Sequence, residues 1–124
     1  MQDKPSETAI RKILLVDDEP LVRIGTALLL EELDYRVVQA ATAAQGLQLL
    51  IENDDIGIII TDFRMPDMDG LELIERARHA KPTLKTILMT GYAANDERFA
   101  ALDFPRLSKP FGISELENAL SQAT

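Results

Sequence analysis

Residues 56–61 (IGIIIT) constrain the fold of this 124-residue chain more than any other segment. Isoleucine dominates the run, and its β-branched side chain suits a pleated strand better than a helix. Apolar and polar positions do not alternate, so the strand is expected to be covered on both faces. A strand of that kind belongs to a parallel sheet held between helical layers.

The flanking sequence supplies the rest of that architecture. Further strands are expected at 12–16 (KILLV), 36–40, 84–89 (LKTILM) and 106–108. Between them lie segments of helical period. The first follows Pro20, which suits an opening helical turn, and places Leu21, Ile24, Leu28 and Leu29 on one face. The second is capped by Thr42 and turns Ala43, Leu47, Leu50 and Ile51 inward. A third follows Asp69 with Leu71, Ile74 and Ala77; a fourth, thinly apolar, spans 94–102; and a last opens at Ser114 with Leu116, Ala119 and Leu120. Strands and helices that alternate at this spacing pair in parallel through right-handed crossovers. The class is therefore α/β, a small doubly wound sheet. Periodicity does not give the strand order.

Composition narrows the function. The chain has no cysteine and a single histidine, His79, which removes disulfides, thiolate chemistry and the usual zinc sites. A net charge of −8 and a pI near 4.6 disfavour direct nucleic-acid binding and suit divalent cations or basic partner surfaces. Apolar runs are far shorter than the roughly 18 residues of a membrane span. Residues 1–10 are polar and lack a signal core, so they read as a flexible leader to a cytoplasmic domain at 11–124.

In open parallel sheets, ligands bind beyond the carboxyl ends of the strands. The chemically distinctive residues fall at such ends: Asp17 and Asp18 after the first strand, Asp62 after the third, Thr90 after the fourth and Lys109 after the fifth. Each has an ordinary reading alone, as a helix cap, a turn residue or a solvated lysine. Together they place three carboxylates and a cation on one sheet edge. Crowded carboxylates repel, and a hard cation such as Mg²⁺, which favours a few carboxylate oxygens, removes that repulsion. Lys109 can hold an anion that also touches the metal. The segment 65–70 (MPDMDG) reads as a turn and helix cap; as a calcium loop it puts Met65 and Arg76 where carboxylates are required. No glycine-rich phosphate loop follows the first strand, and no hydrolase nucleophile elbow is present.

Val16-Asp17-Asp18-Glu19-Pro20, Asp62 with Met65-Pro66 and Asp69-Gly70, Met89-Thr90-Gly91, and Lys109-Pro110-Phe111 together resemble the receiver domain of two-component response regulators. The resemblance spans about residues 11–122. It implies a flavodoxin-like sheet of order 2-1-3-4-5 with five helices. It also implies that Asp62 accepts a phosphoryl group from a histidine kinase or histidine phosphotransfer protein. Mg²⁺ would be held by Asp17, Asp18, Asp62 and the Arg64 carbonyl. Lys109 and Thr90 would engage the phosphoryl oxygens, and the Lys109–Pro110 bond would be cis. Output would pass to a downstream protein target through the fourth helix, fifth strand and last helix, including Asp96, Arg98 and Arg106. The chain would be a switch whose only catalysis is on itself, either a monomer or a phosphorylation-dependent dimer. One position departs from the pattern: Arg106 stands where receivers often carry an aromatic residue, and Tyr92 is a candidate substitute. Arg64 and Tyr92 also occupy positions that modulate loss of the phosphoryl group.

Other readings stay open on sequence alone. The chain could be a receiver cut from a hybrid kinase or larger regulator, a Mg²⁺-dependent phosphatase, or a pseudo-receiver that binds partners without phosphorylation. Arg64 stands where the phosphatase reading needs a second acid. The intact Asp18, Asp62, Thr90 and Lys109 weigh against a pseudo-receiver.

Overall fold

A computed structural model describes residues 12–91 and 94–124. Its elements run β1 (Lys12–Val16), α1 (Pro20–Glu32), β2 (Arg36–Ala40), α2 (Ala43–Glu52), β3 (Ile58–Asp62), α3 (Gly70–Ala80), β4 (Lys85–Thr90), a 3₁₀ segment (Glu97–Ala101), β5 (Arg106–Ser108) and α4 (Ile113–Ala123). All strand pairs are parallel, in the order β2-β1-β3-β4-β5. The order and class implied by the resemblance are those observed.

Side-chain alternation along the central strands divides the core into layers. Ile13, Leu15, Ile58 and Ile60 face α1 and α4, where Ala27, Leu30, Leu116 and Leu120 close the layer. Leu14, Val16 and Ile59 face α2 and α3 through Ala43, Leu50, Leu73 and Ala77. All the β1 and β3 apolar residues are fully buried. Each large one contributes about 2 kcal/mol of transfer free energy, so these two strands are the least deformable part of the sheet.

Three expectations need correction. There are four α-helices among the described residues, not five: the segment expected as the fourth helix is a short 3₁₀ stretch. Asp96 caps it by accepting from the Arg98 N–H at 2.9 Å. Pro105 follows too soon for an α-helix to repay its nucleation. It is held instead by Phe99, Leu102 and Phe104 against Phe63, Ile74 and Leu88.

Three of the four residues placed together on the first helix lie on its outer side, and only Leu29 packs against the core. Leu21, Ile24 and Leu28 are exposed, at 85%, 47% and 61%, while Thr26, Ala27 and Leu30 are buried. This helix is apolar on both sides, so helical period fits two stripes, and packing against β1 and β2 selects the one with the small Ala27. Ile51 is likewise exposed rather than inward. Strand and helix ends differ from expectation by a residue or two; the last helix is preceded by Gly112, whose N–H donates to Glu115 at 2.9 Å. The expected leader, 1–10, and Tyr92 lie outside the described residues.

Candidate functional site

The site is built by the carboxyl ends of β1, β3, β4 and β5, and the ladders continue one residue past β1, β3 and β5. Asp17 N–H donates to Ala40 O at 3.1 Å, Phe63 N–H to Met89 O at 2.9 Å, and Lys109 N–H to Thr90 O at 2.8 Å. The backbone therefore fixes where Asp17, Asp62, Thr90 and Lys109 emerge.

Asp17, Asp18 and Asp62 each bring a carboxylate oxygen within 4.8 Å of the others. Asp17 is fully buried, Asp62 is 8% exposed, and Asp18 is more open to solvent. The Lys109 ammonium sits among them, 2.9 Å from Asp17 Oδ2, 3.4 Å from Asp62 Oδ1 and 3.7 Å from Glu19 Oε1. Asp17 Oδ1 accepts from the Glu19 N–H at 3.0 Å, so this acid braces the loop rather than capping α1, whose preceding residue is Glu19. Asp62 Oδ1 also accepts from the Phe63 N–H at 3.1 Å.

Burial raises the Asp62 carboxyl from its usual 3.8 to about 6, and the Asp17 and Asp18 charges push the same way. Lys109 opposes this only partly, because it lies closer to Asp17. Burial alone lowers the lysine pKa, but its bonds to Asp17 and the charge of Asp62 outweigh that and leave it raised. The ammonium is thus firmly charged beside a carboxylate that a cation would stabilise.

A crevice of about 610 Å³ opens over these groups, lined by Asp18, Glu19, Asp62, Phe63, Arg64, Gly91, Ala94 and Lys109. Its donor set is hard oxygen, which suits Mg²⁺ rather than zinc or copper. Thr90 is buried at the end of β4, beside Ser108 in the ladder. All six residues singled out from the sequence thus sit at this edge of the sheet. The Lys109–Pro110 bond is cis. A larger groove, about 840 Å³ between α3 and the 3₁₀ segment, is lined mainly by α3 side chains such as Glu72, Glu75 and His79 and contains none of Asp17, Asp18 and Asp62.

Two further residues support the site: Gly70, which the sequence presents only as part of the motif and without a role, and Arg23, which it does not single out. A Cβ on Gly70 would overlap the Asp62 carbonyl oxygen and press within 2.8 Å of Leu88 Cδ1, so only glycine allows α3 to pack against the end of β3. A glycine at the first position of a helix, where it weakens helix formation, was the available signal. Arg23 donates to the Asp17 carbonyl at 2.8 Å and to Gln39 Oε1 at 3.1 Å, bracing the β1 end from α1. Nothing in its spacing marks it.

Arg106, at the position where an aromatic was expected, stacks its guanidinium 4.5 Å from the Phe99 ring centroid. Phe99 in turn meets Phe63 edge-to-face at 5.0 Å. An aromatic contact next to Asp62 is therefore supplied from the 3₁₀ segment.

A doubly wound parallel sheet with three aspartates and a lysine at one edge defines a small class of α/β domains. The chain belongs to the response regulator receiver domain family, whose family model matches residues 13–121. It is 34% identical over 116 residues to the response regulator receiver protein CpdR of Brucella abortus, covering 91% of this chain and 96% of that one. It is 33% identical over 116 residues to the sensor kinase CckA of the same organism, covering 89% of this chain but only 12% of the kinase. The solved structure of a receiver domain protein from Clostridium thermocellum superposes with a TM-score of 0.84 at 30% identity, covering 92% of this chain and 94% of that one. Members of this family are phosphorylation-dependent signalling switches rather than enzymes in the usual sense, and bind Mg²⁺ at an acidic pocket. Among the described residues, no helix is long and apolar enough to cross a membrane.

Proposed function

We propose that residues 11–124 form a cytoplasmic phosphorylation switch in which Asp62 accepts a phosphoryl group from a histidine kinase or histidine phosphotransfer protein. The observation that carries this reading is the Lys109 ammonium lying 2.9 Å from Asp17 and 3.4 Å from Asp62 at the floor of an open crevice. An Asp62 carboxylate oxygen attacks phosphorus, the bond from phosphorus to the donor nitrogen breaks in line, and an acyl phosphate forms. Lys109 holds an equatorial phosphoryl oxygen, and the Thr90 hydroxyl donates to another. Such transfer is mostly positioning and electrostatics. Asp17, Asp18, Asp62 and the Arg64 carbonyl would hold Mg²⁺, which when bound offsets charge on the phosphoryl oxygens.

The donor reaches Asp62 through the crevice mouth, whose lining includes Glu19 at the start of α1, the helix that carries exposed Leu21, Ile24 and Leu28. Output follows from a shift of Thr90 toward the phosphoryl group, carried by the 3₁₀ segment, β5 and α4 to a downstream protein. Asp96, Arg98 and Arg106 lie on that face. No direct nucleic-acid contact is involved.

The test is an amide NMR comparison with beryllofluoride and Mg²⁺. Shifts centred on Asp62, Thr90 and Lys109 that extend into residues 97–108 are expected. No binding, or binding unaffected by Asp62→Asn, would move the chain to the pseudo-receiver reading.

A further inference from the structure

Asp67 lies in the loop between β3 and α3, in a stretch whose sequence reads as a turn and helix cap and gives Asp67 no role of its own. Its carboxylate reaches another element. Oδ1 accepts from the Ala43 N–H at 3.3 Å and Oδ2 from the Ala44 N–H at 3.0 Å, both at the start of α2. That helix already has its own cap: Thr42 Oγ1 accepts from Gln45 N–H at 3.1 Å, and Thr42 O from Gly46 N–H at 3.0 Å. Ala43 and Ala44 carry the two leading N–H groups that these bonds leave over, and Asp67 takes both. A cap normally comes from the residue at the helix's own start. One supplied from a separate loop ties that loop to the helix.

The loop is held at other points too. Met65 and Met68 pack on the layer of α2 and α3. Asp69 caps α3 through Glu72 N–H at 2.9 Å and pairs with Arg98 at 3.0 Å. Arg64, at the head of the same loop, lines the crevice over Asp62.

We propose that Asp67 is a positioning residue for cation binding: its grip on the start of α2 fixes the loop whose Arg64 carbonyl joins Asp17, Asp18 and Asp62. This rests on the reading that the crevice takes Mg²⁺. Partners that orient a metal ligand from behind commonly change affinity by about ten- to a hundredfold when removed.

The experiment titrates Mg²⁺ alone into wild type, Asp67→Ala and Thr42→Ala and reads dissociation constants from amide chemical shifts, with Tm measured in chelator. Thr42→Ala removes the other cap from the same helix end without touching the loop. Both variants are expected to lower Tm, but only Asp67→Ala to weaken Mg²⁺, by about tenfold; Asp67→Asn, which keeps one acceptor, falls between and serves if the alanine variant does not fold. Unchanged affinity in the Asp67 variants overturns the inference while leaving the Mg²⁺ reading intact. Equal weakening in Thr42→Ala also overturns it, since helix stability alone would then explain the effect. No Mg²⁺ response in wild type overturns the Mg²⁺ reading and the inference with it.

Discussion

Asp62→Asn is expected to stabilise the metal-free protein at neutral pH. Asp62 is 8% exposed and faces Asp17 and Asp18, and its carboxyl is raised from 3.8 to about 6. At 1.36 kcal/mol for each pKa unit, keeping it ionised in the folded state at pH 7.5 costs about 3 kcal/mol relative to the unfolded chain. Asparagine keeps the shape and removes the charge. The Lys109 attraction at 3.4 Å is already contained in that value, and Lys109 remains with Asp17 at 2.9 Å.

A gain of about 3 kcal/mol follows, or a Tm rise of roughly 10–15 °C for a domain of this size. The sign of the pH dependence is fixed. Because the folded pKa is raised, the wild type's disadvantage is absent below the unfolded value of about 4 and develops as pH rises through about 6. About half the gap should therefore close between pH 7.5 and pH 5. Mg²⁺ should narrow it too, because the wild type binds the ion with one more carboxylate. The assay is thermal unfolding of both proteins in chelator across that pH range. Equal Tm values at pH 7.5, or a gap independent of pH, would refute the electrostatic account of the site.

Lys109→Met leaves the fully buried Asp17 without its cation and should cost about 3 kcal/mol in chelator at pH 7.5, measured by urea unfolding, with Mg²⁺ restoring more stability than it adds to wild type. Gly70→Ala should cost about 3 kcal/mol in the same assay, because its Cβ meets backbone of β3 that cannot give way. Phe99→Ala removes the Phe63 and Arg106 stacks; a loss of about 1–2 kcal/mol is expected, with faster amide exchange confined to residues 97–108.

The parts of this fold most legible in the sequence are those fixed by one dominant force. The run 56–61 is too apolar to be anything but a strand covered twice, and β3 is indeed buried throughout. Once five strands run parallel, their carboxyl ends must share an edge, which is how Asp17 and Lys109, 92 positions apart, come to bond at 2.9 Å. Composition and spacing did not give the strand order; the likeness to a family did.

Where two solutions compete, the sequence does not decide. Helix α1 carries apolar stripes on both sides, and only the shape of the sheet selects Ala27 and Leu30 over Leu21, Ile24 and Leu28. The 3₁₀ segment has the residues of a weak helix, but tertiary anchors at Phe99 and Leu102 set its form. Asp67 is an exposed loop acid, and its bonds to Ala43 and Ala44 are visible only after the chain has folded.

The central claim is that Asp62 accepts a phosphoryl group with the help of a bound cation. Intact mass after incubation with acetyl phosphate and Mg²⁺ tests it most directly, beside Asp62→Asn and a chelator control. The account expects a gain of one phosphoryl group in the wild type, absent in the variant and in chelator. A gain that persists in Asp62→Asn, or that forms equally without Mg²⁺, would contradict it.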